Sequence, residues 1–81
     1  MDDKPLRPAD IRLGATIREL RLRSRFTTAE LADAIGISEP MVSAIERGRR
    51  RATPEVCAAI ATEVRAPLNA IIEPAPAEQV A

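Results

Sequence analysis

The polar side chains that could carry chemistry lie mainly between residues 38 and 51, where serines, glutamates and arginines follow one another closely. These groups donate or accept hydrogen bonds and neutralise phosphates, as a nucleic-acid interface requires. The sequence has no histidine and a single cysteine, Cys57, so it predicts neither a disulfide nor a zinc site, and no cofactor is expected. It also offers no nucleophile paired with a base and no glycine-rich phosphate loop, which argues against an enzyme.

Charge is unevenly distributed along the chain, although the formal net charge is zero. Residues 12–51 contain nine arginines and five acidic residues, a balance of +4, whereas residues 52–81 contain one arginine and four acidic residues, a balance of −3. Such asymmetry favours a basic face on a neutral molecule. A solvated surface of uneven charge is the alternative, and charge alone does not separate the two.

The length of 81 residues allows one domain at most. Apolar residues make up 46% of it, with one Phe and no Tyr or Trp, so an aliphatic core and an all-α fold are predicted. We expect a flexible lead over 1–9, a folded domain over 10–72 and a disordered tail over 73–81. The N-terminus is unlike a signal peptide and no apolar run reaches membrane-spanning length, which predicts a soluble cytoplasmic protein that binds no membrane.

Helix start signals divide the domain into five segments. The predicted helices span 10–24, 28–35, 39–47, 54–64 and 67–72. Their expected starting residues are Asp10, Thr27 with Glu30 as a capping box, Ser38, Thr53 before Pro54, and Pro67. The second and third helices are short and are separated by Gly36, and the third ends at Gly48, where glycine suits the left-handed exit of a helix.

The second and third helices form a rigid pair in this prediction. Ala32 is small where the two helices cross, and Ile37, Val42 and Ile45 hold the third helix against the second. A fixed angle between two short helices is what a helix-turn-helix needs in order to present its second helix to the major groove of DNA.

At these residues the chain resembles the Cro/repressor-type helix-turn-helix family, also called the XRE family. The resemblance covers about residues 11–72 and rests on Leu13…Ile17-Arg-Glu-Leu-Arg21, Thr27-x-x-Glu30-Leu31-Ala32, Ile35-Gly36-Ile37-Ser38 and Val42-Ser43-x-Ile45-Glu46-Arg47-Gly48. It implies a five-helix, lambda-repressor-like domain in which helices 2 and 3 bind double-stranded DNA.

The resemblance and the helical geometry together give a set of candidate DNA-binding residues. They are Thr27, Thr28, Ser38, Glu39, Pro40, Met41, Ser43, Ala44, Arg47, Arg49, Arg50 and Arg51. Many family members have Gln or Arg where this chain has Thr28, Pro40 and Ala44. Few bidentate donors therefore remain, and specificity is expected to depend on DNA shape and on the arginines.

Individual roles follow from side-chain chemistry. Serines 38 and 43 can bond bases or phosphates, and Arg47 can reach a guanine or a phosphate. Glu39 suits the exocyclic amine of cytosine; alternatively it is a first-turn acid favoured by the helix dipole. Pro40, Met41 and Ala44 can meet thymine methyls, although Met41 can instead pack against helix 2. The arginines at 49, 50 and 51 suit phosphates, with a solubilising loop as the alternative.

Three further residues have structural interpretations. The resemblance implies a salt bridge between Arg21 and Glu46, joining helix 1 to the end of helix 3. Cys57 falls on the apolar stripe of helix 4, which favours a buried, inert thiol over a redox sensor. Arg65 stands where the family often has glycine, so the exit of helix 4 is expected to be strained or differently shaped.

The predicted function is sequence-specific regulation of transcription, most simply repression. Two copies would bind a near-palindromic operator, because one domain of this size covers too little DNA for high specificity. Candidate residues for the dimer surface are Val56, Leu68, Ile71 and Ile72. The alternative is an antitoxin or adaptor that binds a partner protein, with the tail over 73–81 folding on that partner.

Overall fold

A computed structural model describes residues 6–67 and 71, and this part of the chain is helical, without strands. Its four helices are α1 (Pro8–Arg23), α2 (Thr28–Ile35), α3 (Glu39–Glu46) and α4 (Pro54–Val64). The all-α prediction is thereby confirmed. Of the predicted fifth helix only Pro67 and Ile71 are described, and Ile71 is helical. The predicted tail over 73–81 lies outside the described residues.

Helix α1 begins earlier than predicted, so the expected cap at Asp10 is wrong. Pro8 is its first residue, and Arg7 precedes it without a side-chain cap. Proline starts a helix well because its φ is already helical and its missing N–H would have no partner there. Asp10 instead lies in the first turn, where the helix dipole favours an acid. The predicted lead over 1–9 is correspondingly shortened by Pro8 and Ala9.

The predicted starts of α2, α3 and α4 are confirmed. Thr27 accepts a hydrogen bond from the backbone of Glu30 at 3.0 Å, and the Glu30 carboxylate accepts from the backbone of Thr27 at 2.9 Å. Ser38 and Thr53 cap α3 and α4 by accepting from the N–H groups of Met41 and Val56, at 3.2 Å each. Gly36 ends α2 with φ +79°, the left-handed conformation expected of it.

The core lies where all four helices meet. Its largest fully buried side chains are Ile17, Leu31, Val42, Ile60 and Ile71. Ala32 on α2 is also buried in this core. Half-buried apolar residues pack around this cluster: Leu13, Leu20, Phe26, Ile35, Ile37, Met41, Val56 and Val64. The helix-turn-helix angle is therefore held by α1 and α4 as well as by its own turn.

Helix α1 passes unusually close to the end of α3 at Gly14. A Cβ on Gly14 would collide with the carbonyl oxygen of Ile45 and would lie 2.7 Å from that of Glu46. Glycine normally weakens a helix interior, so its presence here is explained by the close approach of the two backbones. Gly14 thereby sets how deeply α3 sits against α1.

Cys57 and Arg65 both agree with what the sequence predicts for them. Cys57 is 2% exposed, and burial raises the pKa of its thiol, as an inert buried cysteine requires. Arg65 adopts φ +57° at the end of α4, so an arginine holds the left-handed position where glycine would be unstrained. None of the described helices is both long enough and apolar enough to cross a bilayer.

Candidate nucleic-acid interface

One side of α3 faces outward because the other side is buried. Val42 and Ile45 enter the core, which follows from their spacing of three residues along the helix. The outer side, which we call the recognition face, consists of Glu39, Pro40, Ser43, Ala44 and Arg47. Glu39, Pro40 and Arg47 are exposed, and the other two are half-buried.

The first residues of α2 and α3 are joined by a hydrogen bond that the sequence did not predict. The Thr28 hydroxyl donates to Oε2 of Glu39 at 2.7 Å. The sequence predicts Thr28 and Glu39 as separate DNA contacts, whereas the structure brings them together. The bond places a carboxylate at the N-terminus of α3, beside the exposed end of the recognition face.

Thr27 and Ser38, the hydroxyl residues that directly precede α2 and α3, serve as helix caps. Thr27 and Ser38 are exposed, and each uses its side-chain oxygen to accept a backbone N–H of its own helix. Their hydroxyl hydrogens remain able to donate outward, because a hydroxyl is both donor and acceptor. These caps therefore stiffen the two helix ends that border the recognition face.

Met41 is placed differently from its neighbours on α3. Its side chain is half-buried and packs against the core cluster, which favours the alternative of packing over contact with a thymine methyl. A flexible thioether suits such a gap at the edge of a core.

The arginine loop, Arg49 to Arg51, follows α3 after Arg47 and Gly48 and is exposed throughout. Its backbone is anchored on both sides. Gly48 has φ +77°, and a Cβ there would lie 2.8 Å from Cγ1 of Ile11, so the chain leaves α3 pressed against α1. Ala52, on the other side, is buried. Three exposed arginines thus follow the recognition face along the chain, on a backbone that is held at both ends.

The turn between α1 and α2 contains a left-handed residue that the sequence does not signal. Arg25 has φ +64°, which is rare for a residue with a side chain. Two hydrogen bonds between Arg21 and Phe26 close the turn around it. The Arg21 carbonyl accepts from the Phe26 N–H at 3.1 Å, and the Arg21 guanidinium donates to the Phe26 carbonyl at 2.8 Å. The guanidinium also pairs with Glu46, so the salt bridge implied by the resemblance is present.

Neither of the two described candidate dimer residues, Val56 and Ile71, is exposed. Ile71 is 0% exposed and belongs to the core, so its assignment to a dimer surface is corrected: its side chain stabilises the monomer. Val56 is half-buried and packs against the same cluster. Leu68 and Ile72 lie outside the described residues.

Comparison with known proteins agrees with this arrangement. A family model described as a helix-turn-helix domain matches residues 12–70. No curated protein is significantly similar to the chain. Among solved structures, the clp gene regulator ClgR from Corynebacterium glutamicum is 28% identical, with a TM-score of 0.76 over 86% of this chain and 90% of that one.

Two more distant structures share the fold. The restriction-modification controller protein C.AhdI from Aeromonas hydrophila is 24% identical, with a TM-score of 0.72 over 75% of this chain and 92% of that one. The P22 c2 repressor, solved in complex with a synthetic operator, is 21% identical, with a TM-score of 0.70 over 75% and 92% of the two chains. Since the family model covers most of the sequence, the chain belongs to the helix-turn-helix domain family.

Proposed function

We propose that this protein represses transcription by binding a near-palindromic operator as a homodimer, with α3 of each copy in the major groove. The observation that carries the proposal is the recognition face, an outward side of α3 that lies immediately before the arginine loop. A helix of about 12 Å diameter fits a major groove about 12 Å wide. The eight residues of α3 are short enough to enter it end-first.

Base contacts are assigned to the recognition face. Arg47 is exposed at the C-terminal end of α3 and carries the planar donor fork that suits guanine. Ser43 lies one turn earlier and can donate or accept. Ala44 and Pro40 offer apolar surface to thymine methyls. Because few of these residues can make two hydrogen bonds to one base, we propose that DNA shape also contributes to sequence specificity.

Phosphate contacts are assigned to the arginine loop and to the start of α2. Arginines on an anchored backbone neutralise phosphates without the entropic cost of ordering a mobile loop. The start of α2 adds the Thr27 hydroxyl beside a helix N-terminus, where the dipole favours an anion. Contacts on both sides of α3 would set its depth in the groove.

Pairing of two copies is proposed from the size of the DNA contact. A single eight-residue helix reads only a few base pairs, whereas two copies with centres about 34 Å apart read two half-sites on one side of the duplex. The P22 c2 repressor, which shares this fold, was solved with a synthetic operator. Occupancy of an operator that overlaps a promoter would exclude polymerase.

Fluorescence anisotropy with duplexes from the region upstream of the protein's own coding sequence tests the proposal. We expect salt-sensitive, sequence-selective binding that Arg47→Ala weakens by about tenfold or more. Arg65→Ala, which removes an exposed arginine at the end of α4, is the matched control and should leave affinity unchanged. Absence of binding even at low salt would contradict the proposal and favour the adaptor alternative.

A further inference from the structure

A groove between the first turns of α1 and α4 carries an inference about a ligand. We propose that this groove binds a small apolar carboxylic acid in its ionised form, and that the bound acid competes with DNA for Arg51. The ligand site is independent of the proposed function, whereas the competition with DNA rests on it.

The groove has the size and the lining of a small-molecule site. Its volume is about 640 Å³, within the range of about 300–1,000 Å³ that is typical of such sites. The apolar lining includes Ala9 and Leu13 from α1, Pro54 and Cys57 from α4, and Ala52 from the loop before α4. An apolar ligand body placed against these side chains would leave water, which favours binding.

The charged residues of the groove indicate an anionic ligand head. Arg12 and Arg51 are exposed, Asp10 is half-buried, and all three line the groove, so its balance is two positive charges against one negative. A guanidinium presents parallel N–H groups that match the two oxygens of a carboxylate. Because Asp10 repels a second negative charge, a monoanionic carboxylate suits the groove better than a dianionic phosphate ester.

Arg51 belongs both to this groove and to the arginine loop. Its backbone lies between Gly48, which is pressed against α1, and the buried Ala52, so only its side chain has to move between the two partners. A guanidinium that pairs with a ligand carboxylate is no longer available to a phosphate. The bound acid should therefore remove about one phosphate contact, and DNA should weaken ligand binding by the same factor.

The groove could instead be a surface indentation that binds nothing, and Arg12 separates the two possibilities. Arg12→Gln removes a partner of the carboxylate and lies outside the residues assigned to DNA, so it should leave DNA affinity unchanged when no ligand is added. Arg18→Gln removes another exposed arginine of α1 that does not line the groove and is the matched control.

The first measurement follows backbone amide shifts of the ¹⁵N-labelled full chain while decanoate is added. We expect saturable changes at Ala52 and Cys57, half-complete at about 1 mM or less, and small changes at the exposed Leu22. Arg12→Gln should raise the half-saturating concentration about threefold, and Arg18→Gln should leave it unchanged. Decyltrimethylammonium, which has an alkyl chain with a positive head, should produce no saturable change.

The second measurement follows DNA binding by fluorescence anisotropy with a duplex that the protein binds. Saturating decanoate should flatten the slope of log affinity against log salt concentration by about 0.9, relative to sodium acetate at the same concentration. The Arg51→Gln protein should show no such difference, because the contested side chain is gone.

The possible failures can be told apart. If decanoate gives no saturable shifts in the groove, or shifts Leu22 as much as Cys57 by adventitious adsorption only, the ligand site is overturned and the proposed function stands. If decanoate binds in the groove and DNA affinity does not change, the competition for Arg51 is overturned. If no duplex binds at low salt, the proposed function is overturned, and the amide shifts alone still decide the ligand site.

Discussion

Arg21 on α1 and Glu46 at the end of α3 form a buried ion pair that also fastens the turn before α2. Nε of Arg21 lies 2.6 Å from Oε2 of Glu46, and Nη2 lies 3.1 Å from Oε1. Their side chains are 9% and 5% exposed. Because Nη1 donates to the carbonyl of Phe26, one guanidinium holds three segments in a fixed relation. The tilt of α3 therefore depends on a contact outside the helix-turn-helix itself.

Removing Glu46 should destabilise the fold strongly. In Glu46→Ala the Arg21 guanidinium stays buried without its counter-charge, and we expect a loss of about 3 kcal/mol in the free energy of unfolding. Urea denaturation followed by circular dichroism measures it. The control is Glu19→Ala, which breaks the exposed pair with Arg23 and should cost less than about 1 kcal/mol. Equal losses for the two variants would show that the buried pair has no special role.

Gly14→Ala should destabilise the protein even though alanine favours helices. Its methyl group would meet the backbone of Ile45 and Glu46, which cannot move without shifting α3, and we expect a cost of about 2–3 kcal/mol. Gly36→Ala is the comparison. A methyl group there has no neighbour within 4 Å, so we expect only the strain of its left-handed φ, which lowers the free energy of unfolding by about 1 kcal/mol. Thermal unfolding ranks the two. A stabilising Gly14→Ala would refute the close approach of α1 and α3.

Neutralising the arginine loop should weaken binding to every duplex alike. Each phosphate contact contributes about 0.9 to the slope of log affinity against log salt concentration, so changing Arg49, Arg50 and Arg51 to Gln should flatten that slope by up to about 3. Anisotropy titrations between low and moderate salt measure it. Arg65→Gln should not change the slope. If the triple variant kept the wild-type slope, the loop would not lie on the DNA backbone.

The Cys57 thiol should make stability fall at alkaline pH. Burial raises its folded pKa above that of the unfolded chain, about 8.5. Its contribution to stability is therefore full below the unfolded value and is lost as pH rises through the folded one. Between about pH 8 and 10 the free energy of unfolding should fall more for the wild-type protein than for Cys57→Ala. Parallel curves would mean that the thiol titrates alike in both states.

Local signals in the sequence predicted most of the fold. The capping box of Thr27 and Glu30 and the cap at Ser38 each involve residues three apart, so their chemistry can be recognised without knowing the rest of the molecule. The start of α1 was missed because Pro8 and Asp10 both signal a helix start, and the earlier one prevails. The burial of Ile71 was missed because an apolar stripe does not say whether its partner is the same chain or another.

Contacts between distant residues could not be derived from composition or spacing. Thr28 and Glu39 were each recognised as polar residues at a helix start, but their hydrogen bond depends on the angle between α2 and α3. Gly14 carried a faint signal, since glycine inside a helix usually has a packing reason, yet nothing in the sequence indicated which backbone approaches it. The left-handed Arg25 carried none, because arginine rarely adopts that conformation.

The central claim, that the recognition face contacts DNA, is tested most directly by nuclear magnetic resonance. Backbone amide shifts of the ¹⁵N-labelled protein would be followed while a selected duplex is added. The largest changes are expected between residues 38 and 51 and at Thr27 and Thr28, with small ones at Ala58 and Glu63 on α4. Unchanged amide shifts at Ser43 and Arg47 with the protein saturated by DNA would contradict the claim.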